Sequence, residues 1–321
     1  RPPLRLTGRR IMLPIRRANS RQPKKRTVQI KLILCPIDFS EFSARAYRYA
    51  LSLAEHYHAK LVALHVVEIW RHPSASFSTT ADLYQKFRQA FLENGGLQLQ
   101  EFVKEHASPE IQRELVVQEG TAADEILSCA RTHRADLIAM GTHGRRGFDR
   151  LMLGSVTDRV MRAASCPVLV VSSRSRDAAV AATERHPHRL DRILLCTDFS
   201  ENSERALNYA VSVAEEYSAE ITLLNVLEHA PAPAEQKSAI AAAQKQLDKL
   251  ISPEQHKSLK IKTAMRVGKA YEQIVKLAEE AQSDLLVVGV HGRGALDAAI
   301  FGSTTYRVMQ LGSCPVLAVP A

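Results

Sequence analysis

Residues 32–40 read LILCPIDFS, and residues 193–200 read ILLCTDFS. Each is an apolar run rich in Ile and Leu that closes on an aspartate followed by Phe-Ser. A run that is apolar at consecutive rather than alternate positions suits a strand buried on both faces of a parallel sheet. Aligning Asp38 on Asp198 carries Ala46, Ala50, Ala54 and Tyr57 onto Ala206, Ala210, Ala214 and Tyr217. It also carries Leu64, Val66 and Glu68 onto Leu224, Val226 and Glu228. Further on, a second register takes Gly120, Gly141, Gly154 and Cys166-Pro167 onto Gly268, Gly289, Gly302 and Cys314-Pro315. The change of register leaves about twelve extra residues in the first copy, expected around Gly95-Gly96. A period of roughly 150 residues is that of a duplicated domain, because solenoid repeats run only ~20–50.

The rest of each copy reads outward from that first strand, taken as 29–37. Ser40 and Ser43 offer helix N-caps, and Ala46, Ala50, Leu53, Ala54 and Tyr57 follow at helical spacing. Leu61 to Val67 suits a second strand. Residues 81–106 suit a helix that breaks at Gly95-Gly96, and Ile111 to Gln118 a third strand. A helix over Ala122 to His133, a strand over Leu137 to Met140, a helix over Ser155 to Ala164 and a strand over Val168 to Val171 complete the copy. The second copy repeats the order and ends on Val316 to Val319. Strands alternating with helices predict a doubly wound parallel sheet of five strands in each copy. The domains expected are 28–172 and 190–321, with a linker at 173–189 and a basic tail at 1–27. In such folds a ligand binds beyond the carboxyl ends of the strands, where strand order reverses. If strands one and four are neighbours, Asp38 and the loop after strand four reach one crevice.

That loop has the same form twice. Gly141-Thr142-His143-Gly144 is followed by nine residues and then Gly154-Ser155-Val156-Thr157. Gly289-Val290-His291-Gly292 is followed by nine residues and then Gly302-Ser303-Thr304-Thr305. Glycines let backbone approach a ligand and reach positive φ, and the helix that follows offers unpaired N–H groups and a positive dipole end to an anion. Ser155 and Thr157 add hydroxyl donors, and Arg145, Arg146 or Arg293 can add charge. A plainer reading makes Ser155 and Ser303 simple N-caps; the repetition of a long spacing favours phosphate binding. Asp38 and Asp198 have two readings as well, as acceptors for a base or ribose or as acceptors for backbone N–H in the next turn. His143 and His291 can touch phosphate, but no oriented carboxylate or metal cluster marks them as catalytic.

Composition narrows the rest. Residues 1–27 hold ten of the 43 basic side chains and none of the 34 acidic ones, so the remainder of the chain is close to neutral. The tail is expected to be a disordered extension, with an arm for nucleic acid or anionic lipid as the alternative. No apolar run approaches the ~20 residues of a membrane span, and a cytoplasmic protein is expected. Cys35, Cys129, Cys166, Cys196 and Cys314 are scattered and form no C-x-x-C, which points to buried reduced thiols. His186 and His188 in the linker lack a third ligand, so no metal site is expected.

From about residue 28 to 321, twice over, the chain resembles the universal stress protein family. The resemblance is carried by G-x-x-G, nine residues and then G-S/T, the mark of that family's ATP-binding branch. It implies a tandem-domain, Rossmann-like fold of the adenine nucleotide alpha hydrolase type. The implied ligand is ATP, or AMP or ADP, with Mg²⁺ as a candidate companion. Carried over residue by residue, Asp38 with Pro36 would meet adenine or ribose, and Val66 would meet adenine through its backbone. Gly141 and Gly144 would line ribose and α-phosphate, and Gly154, Ser155, Val156 and Thr157 would hold the outer phosphates. The second copy offers Asp198, Val226, Gly289, Gly292, Gly302, Ser303, Thr304 and Thr305. It departs by Cys196 at the Pro36 position and Thr304 at the Val156 position. The family also pairs its domains through the last strand; here that implies an intrachain pseudo-dimer hiding Val168–Val171 and Val316–Val319, short apolar edges that need cover. A further homodimer stays open. The function expected is a non-enzymatic, ATP-binding stress-response regulator with an unknown protein partner; the alternative is a slow ATPase or an autophosphorylating protein.

Overall fold

The computed structural model describes residues 28–69, 78–106, 111–143, 153–172, 174–175, 190–228, 233–290 and 302–320. The tail at 1–27 and nearly all of the linker, with His186 and His188, lie outside the described residues.

The first copy runs β1 (Leu32–Pro36), α1 (Glu41–Tyr57), β2 (Lys60–Val67), α2 (Ser78–Glu105), β3 (Arg113–Glu119), α3 (Ala122–His133), β4 (Leu137–Gly141), α4 (Ser155–Ala163) and β5 (Val168–Val171). The second runs β6 (Arg192–Cys196), α5 (Glu201–Tyr217), β7 (Glu220–Leu227), α6 (Pro233–Leu250), α7 (Pro253–Ser258), β8 (Lys260–Val267), α8 (Ala270–Glu280), β9 (Leu285–Gly289), α9 (Ser303–Leu311) and β10 (Val316–Val319). The ten strands among the described residues form one sheet in the order β3-β2-β1-β4-β5-β10-β9-β6-β7-β8. Every neighbouring pair is parallel except β5 and β10, which run antiparallel with Leu169 opposite Leu317. Two doubly wound halves therefore join edge to edge within one chain, and the two short apolar edges cover each other. No helix among the described residues is long and apolar enough to cross a membrane.

Helices cover both faces, which is why the central strands are apolar at consecutive positions. Ile33 and Leu34 are both 0% exposed, yet they belong to different apolar clusters, one on each face of the sheet. Each cluster holds residues of both copies. On α1, Ala46, Tyr47, Ala50 and Ala54 form the buried stripe, and the Ser40 hydroxyl caps the helix by accepting from Ser43 N–H. Across the seam His56 stacks on Tyr217, with ring centres 3.9 Å apart, and its Nε2 lies 3.4 Å from Glu216.

Three expectations fail. α2 runs unbroken from Ser78 to Glu105 through Gly95-Gly96. Gly95 is buried, and a Cβ there would lie 3.1 Å from both His65 Cδ2 and Val67 Cγ2, so the glycine permits close approach to β2 instead of ending the helix. The buried positions Gly95, Leu99 and Val103 of α2 match Ala243, Leu247 and Ile251 in the second copy. That places the extra residues of the first copy before Gly95, not at it. β3 begins at Arg113, because its pairing with β2 starts at Leu61 opposite Arg113; Ile111, 8% exposed, packs into the core just ahead of the strand.

Candidate functional site

Strand order reverses at β1, with β2 on one side and β4 on the other. Chain leaving the carboxyl ends of β1 and β4 must diverge to opposite faces, and this opens a crevice. In the first copy it encloses about 660 Å³ and is lined by Pro36, Asp38, Val66, Gly141, Gly154, Ser155, Val156 and Thr157, among others. These are the residues expected from the sequence except Gly144, which lies outside the described residues together with Arg145 and Arg146. In the second copy Asp198 follows β6, Val226 lies one residue before the end of β7, Gly289 closes β9, and Gly302 caps α9, which Ser303, Thr304 and Thr305 open. Gly292, His291 and Arg293 lie outside the described residues.

Asp38 sits in a tight turn. Its Oδ1 accepts from Ser40 N–H at 3.0 Å and from the Ser40 hydroxyl at 2.6 Å, and Asp198 Oδ1 accepts from Ser200 N–H at 3.0 Å. The residue between is forced left-handed, with φ 64° at Phe39 and 61° at Phe199. Such a backbone costs a bulky L-residue about 1–2 kcal/mol, and both copies carry it at the same place. The turn role of Asp38 is therefore seen directly, and the carboxylate also lines the crevice.

The N-caps of α4 and α9 are Gly154 and Gly302, and neither helix has a side-chain cap. Ser155 and Ser303 are the first helical residues, so the plain N-cap reading of these serines fails. The glycines have φ −60° with ψ 142° and 126°, ordinary extended backbone; the positive φ expected of loop glycines is not used here. Among the described residues a Cβ on Gly302 would meet nothing closer than Val290 O at 3.6 Å. Gly141 differs: a Cβ there would lie 2.8 Å from Phe42 Cβ and 2.9 Å from its carbonyl carbon, and Gly289 is similarly tight against Asn202. The Thr157 hydroxyl donates to Gly141 O at 2.9 Å, and Thr305 does the same to Gly289 O at 3.3 Å. These threonine hydroxyls are struts between strand and helix; what the first turn of each helix presents outward is backbone N–H and the exposed Ser155 or Ser303.

His143 lines the crevice, with Nδ1 3.0 Å from Thr142 Oγ1 and its ring 5.4 Å from that of Phe42. Several lining residues carried no assignment from sequence. His65 Nδ1 donates to Ile37 O at 2.8 Å, and Asn225 at the matching position donates to Thr197 O at the same distance. A polar residue twice at one point of an apolar strand was the available signal. Glu68 and Glu228 accept from Ala122 N–H and Ala270 N–H, capping α3 and α8. Phe91, Asn94 and Gln98 of α2 also line the crevice. Phe91 and Asn94 left no signal in the repeat, because the second copy has Ala239 and Ala242 there; Gln98 is matched by Gln246.

Residues 29–172 and 189–320 each match the model of the Universal stress protein family. A universal stress protein of Methanocaldococcus jannaschii is 34% identical over 150 residues, covering 46% of this chain and 85% of that protein. One of Mycolicibacterium smegmatis is 26% identical over 297 residues, covering 89% of this chain and 96% of its own length. The crystal structure of a universal stress protein from Archaeoglobus fulgidus superposes with a TM-score of 0.62 over 91% of this chain and 97% of that one, at 21% identity, a likeness of fold.

Proposed function

The chain belongs to the universal stress protein family, and from that premise we propose that it binds an adenine nucleotide, ATP foremost, at the first crevice and its counterpart in the second copy, and acts in the cytoplasm as a non-enzymatic regulator. The observation that supports this most strongly is a glycine at the N-cap of α4 and of α9 that neither backbone angle nor, at Gly302, packing against the described residues requires. Space left at an uncapped helix N-terminus suits a phosphate held by backbone N–H and the helix dipole. The crevice volume of about 660 Å³ is in the range of small-molecule sites. In this reading Asp38 and Pro36 meet ribose or base and the backbone of Val66 meets adenine. Gly141 and Gly144 lie along the ribose and inner phosphate, Gly154 to Thr157 hold the outer phosphates, and Mg²⁺ arrives on a triphosphate. The second copy uses Asp198, Val226, Gly289, Gly292 and Gly302 to Thr305 in the same roles. Binding favours one conformation over others by mass action and so changes what a protein partner meets.

ATP at about one hundred times its Kd would stabilise a site by roughly 2.7 kcal/mol, a shift of several degrees in melting temperature. The shift is expected in the unsubstituted chain and lost in the Gly154→Val, Gly302→Val double variant. No shift in the unsubstituted chain would refute the proposal. Exposed Ser155 at the crevice supports a second reading, autophosphorylation or slow hydrolysis. Stoichiometric incubation with γ-labelled ATP separates the two: label transferred to protein or released as phosphate favours the second.

A further inference from the structure

Phe91, Asn94 and Gln98 stand on one face of α2 where it borders the first crevice. Phe91 is 55% exposed and Phe87, one turn earlier, 57%. Large rings left this open are costly in water, and the second copy avoids them. The match through Gly95 and Ala243 puts Glu235, Ala239 and Ala242 of α6 where the first copy has Phe87, Phe91 and Asn94. Gly95 brings this face in, since its missing Cβ lets α2 settle against His65 and Val67 at the end of β2. An open aromatic ring beside two amides one turn apart is complementary to a flat apolar body with donors and acceptors on its rim. A nucleobase has that form: aromatic side chains stack on its face, and Asn or Gln pairs with the N6 and N7 edge of adenine.

We propose that α2 forms a base-reading wall in the first crevice, with Phe91 against the ring and Asn94 and Gln98 on its edge, so that the first half selects adenine and the second, lacking Phe91 and Asn94, discriminates bases weakly. This rests on the nucleotide-binding reading of the same crevice.

The test uses the full chain in a Gly302→Val background, so that titration calorimetry reports on the first crevice, with ATP, GTP and inorganic tripolyphosphate as probes. Phe91→Ala is expected to weaken both nucleotides about ten-fold, and Asn94→Ala to weaken ATP about ten-fold and narrow its advantage over GTP. Tripolyphosphate affinity is expected to stay within about two-fold in both, since it has no base. ATP affinity unchanged in both variants overturns the wall while leaving nucleotide binding intact. A fall in ligand-free melting temperature with unchanged affinity also overturns it, by making the two side chains structural. Absence of ATP binding in the background chain and in the unsubstituted chain removes the underlying reading, and the wall with it.

Discussion

Gly141 and Gly302 belong to the same loop pattern but are glycines for different reasons. At Gly141 any Cβ would press on Phe42 at 2.8 Å, a clash with the first turn of α1 that only backbone movement relieves. Gly141→Ala should therefore cost about 1–3 kcal/mol in urea unfolding, with or without nucleotide. At Gly302 the nearest atom among the described residues is 3.6 Å from the same point. Gly302→Val should leave ligand-free stability within about 1 kcal/mol, the loss being mainly a poorer N-cap residue. A large loss there would mean that the glycine serves the fold and not a ligand. The cysteines also separate by surroundings: Cys35, Cys129, Cys166 and Cys314 are buried and Cys196 is half-buried. Burial, aided by the carboxylates of Glu114 and Glu125, pushes the Cys129 thiol up to about 11, and burial raises Cys166 likewise to about 11. At pH 8 both stay protonated and unreactive, because the thiolate is the nucleophile. Burial raises the Cys35 and Cys196 thiols further still, so iodoacetamide followed by peptide mass spectrometry should label none of the five until the chain unfolds.

The strands and helices follow their sequence signals closely, and α2 shows where such signals stop. Two adjacent glycines in a helical pattern read as a break, because each costs about 1 kcal/mol relative to Ala. The helix continues because Gly95 lies so close to β2 that a Cβ would sit 3.1 Å from His65 and Val67, tighter than side chains usually pack, while among the described residues nothing lies within 4 Å of a Cβ on Gly96. The two positions should respond with opposite sign. Gly96→Ala should stabilise the chain by about 0.5–1 kcal/mol through helix propensity alone. Gly95→Ala should destabilise it by about 1 kcal/mol or more, since His65 is held by Ile37 O and by the Phe39 ring, 4.5 Å away, and cannot yield. Equal and stabilising effects in thermal melts would show that α2 does not pack as closely as described.

For the molecule as a whole, the seam between β5 and β10 is short, but the apolar clusters on both faces pass through it. Matching elements meet there: His56 and Glu216 occupy equivalent places in α1 and α5, and pair with each other. The half-exposed pair is worth at most about 1 kcal/mol; the continuity of the core matters more. Unfolding is expected as one cooperative transition. Leu317→Asp, which buries a charge opposite Leu169, should lower hydrogen-exchange protection in β4 and β9 together. Loss confined to β9, or two separate transitions in the unsubstituted chain, would mean that the halves are independent.

Duplication, the order of strands and helices, the strands buried on both faces, the amphipathic stripe of α1 and the paired glycine loops were all legible in the amino-acid sequence, because each depends on spacing along a short stretch of chain. Side-chain period is set by the local backbone, so Ile33 and Leu34 on opposite faces, or Ala46, Ala50 and Ala54 on one, need no tertiary information. The unbroken course of α2, the strut role of Thr157, the different reasons for Gly141 and Gly302, and the approach of Phe91, Asn94 and Gln98 to the crevice were decided by the tertiary structure alone. Each depends on which distant residue comes within a few ångströms, and close packing determines that only when the whole core is assembled.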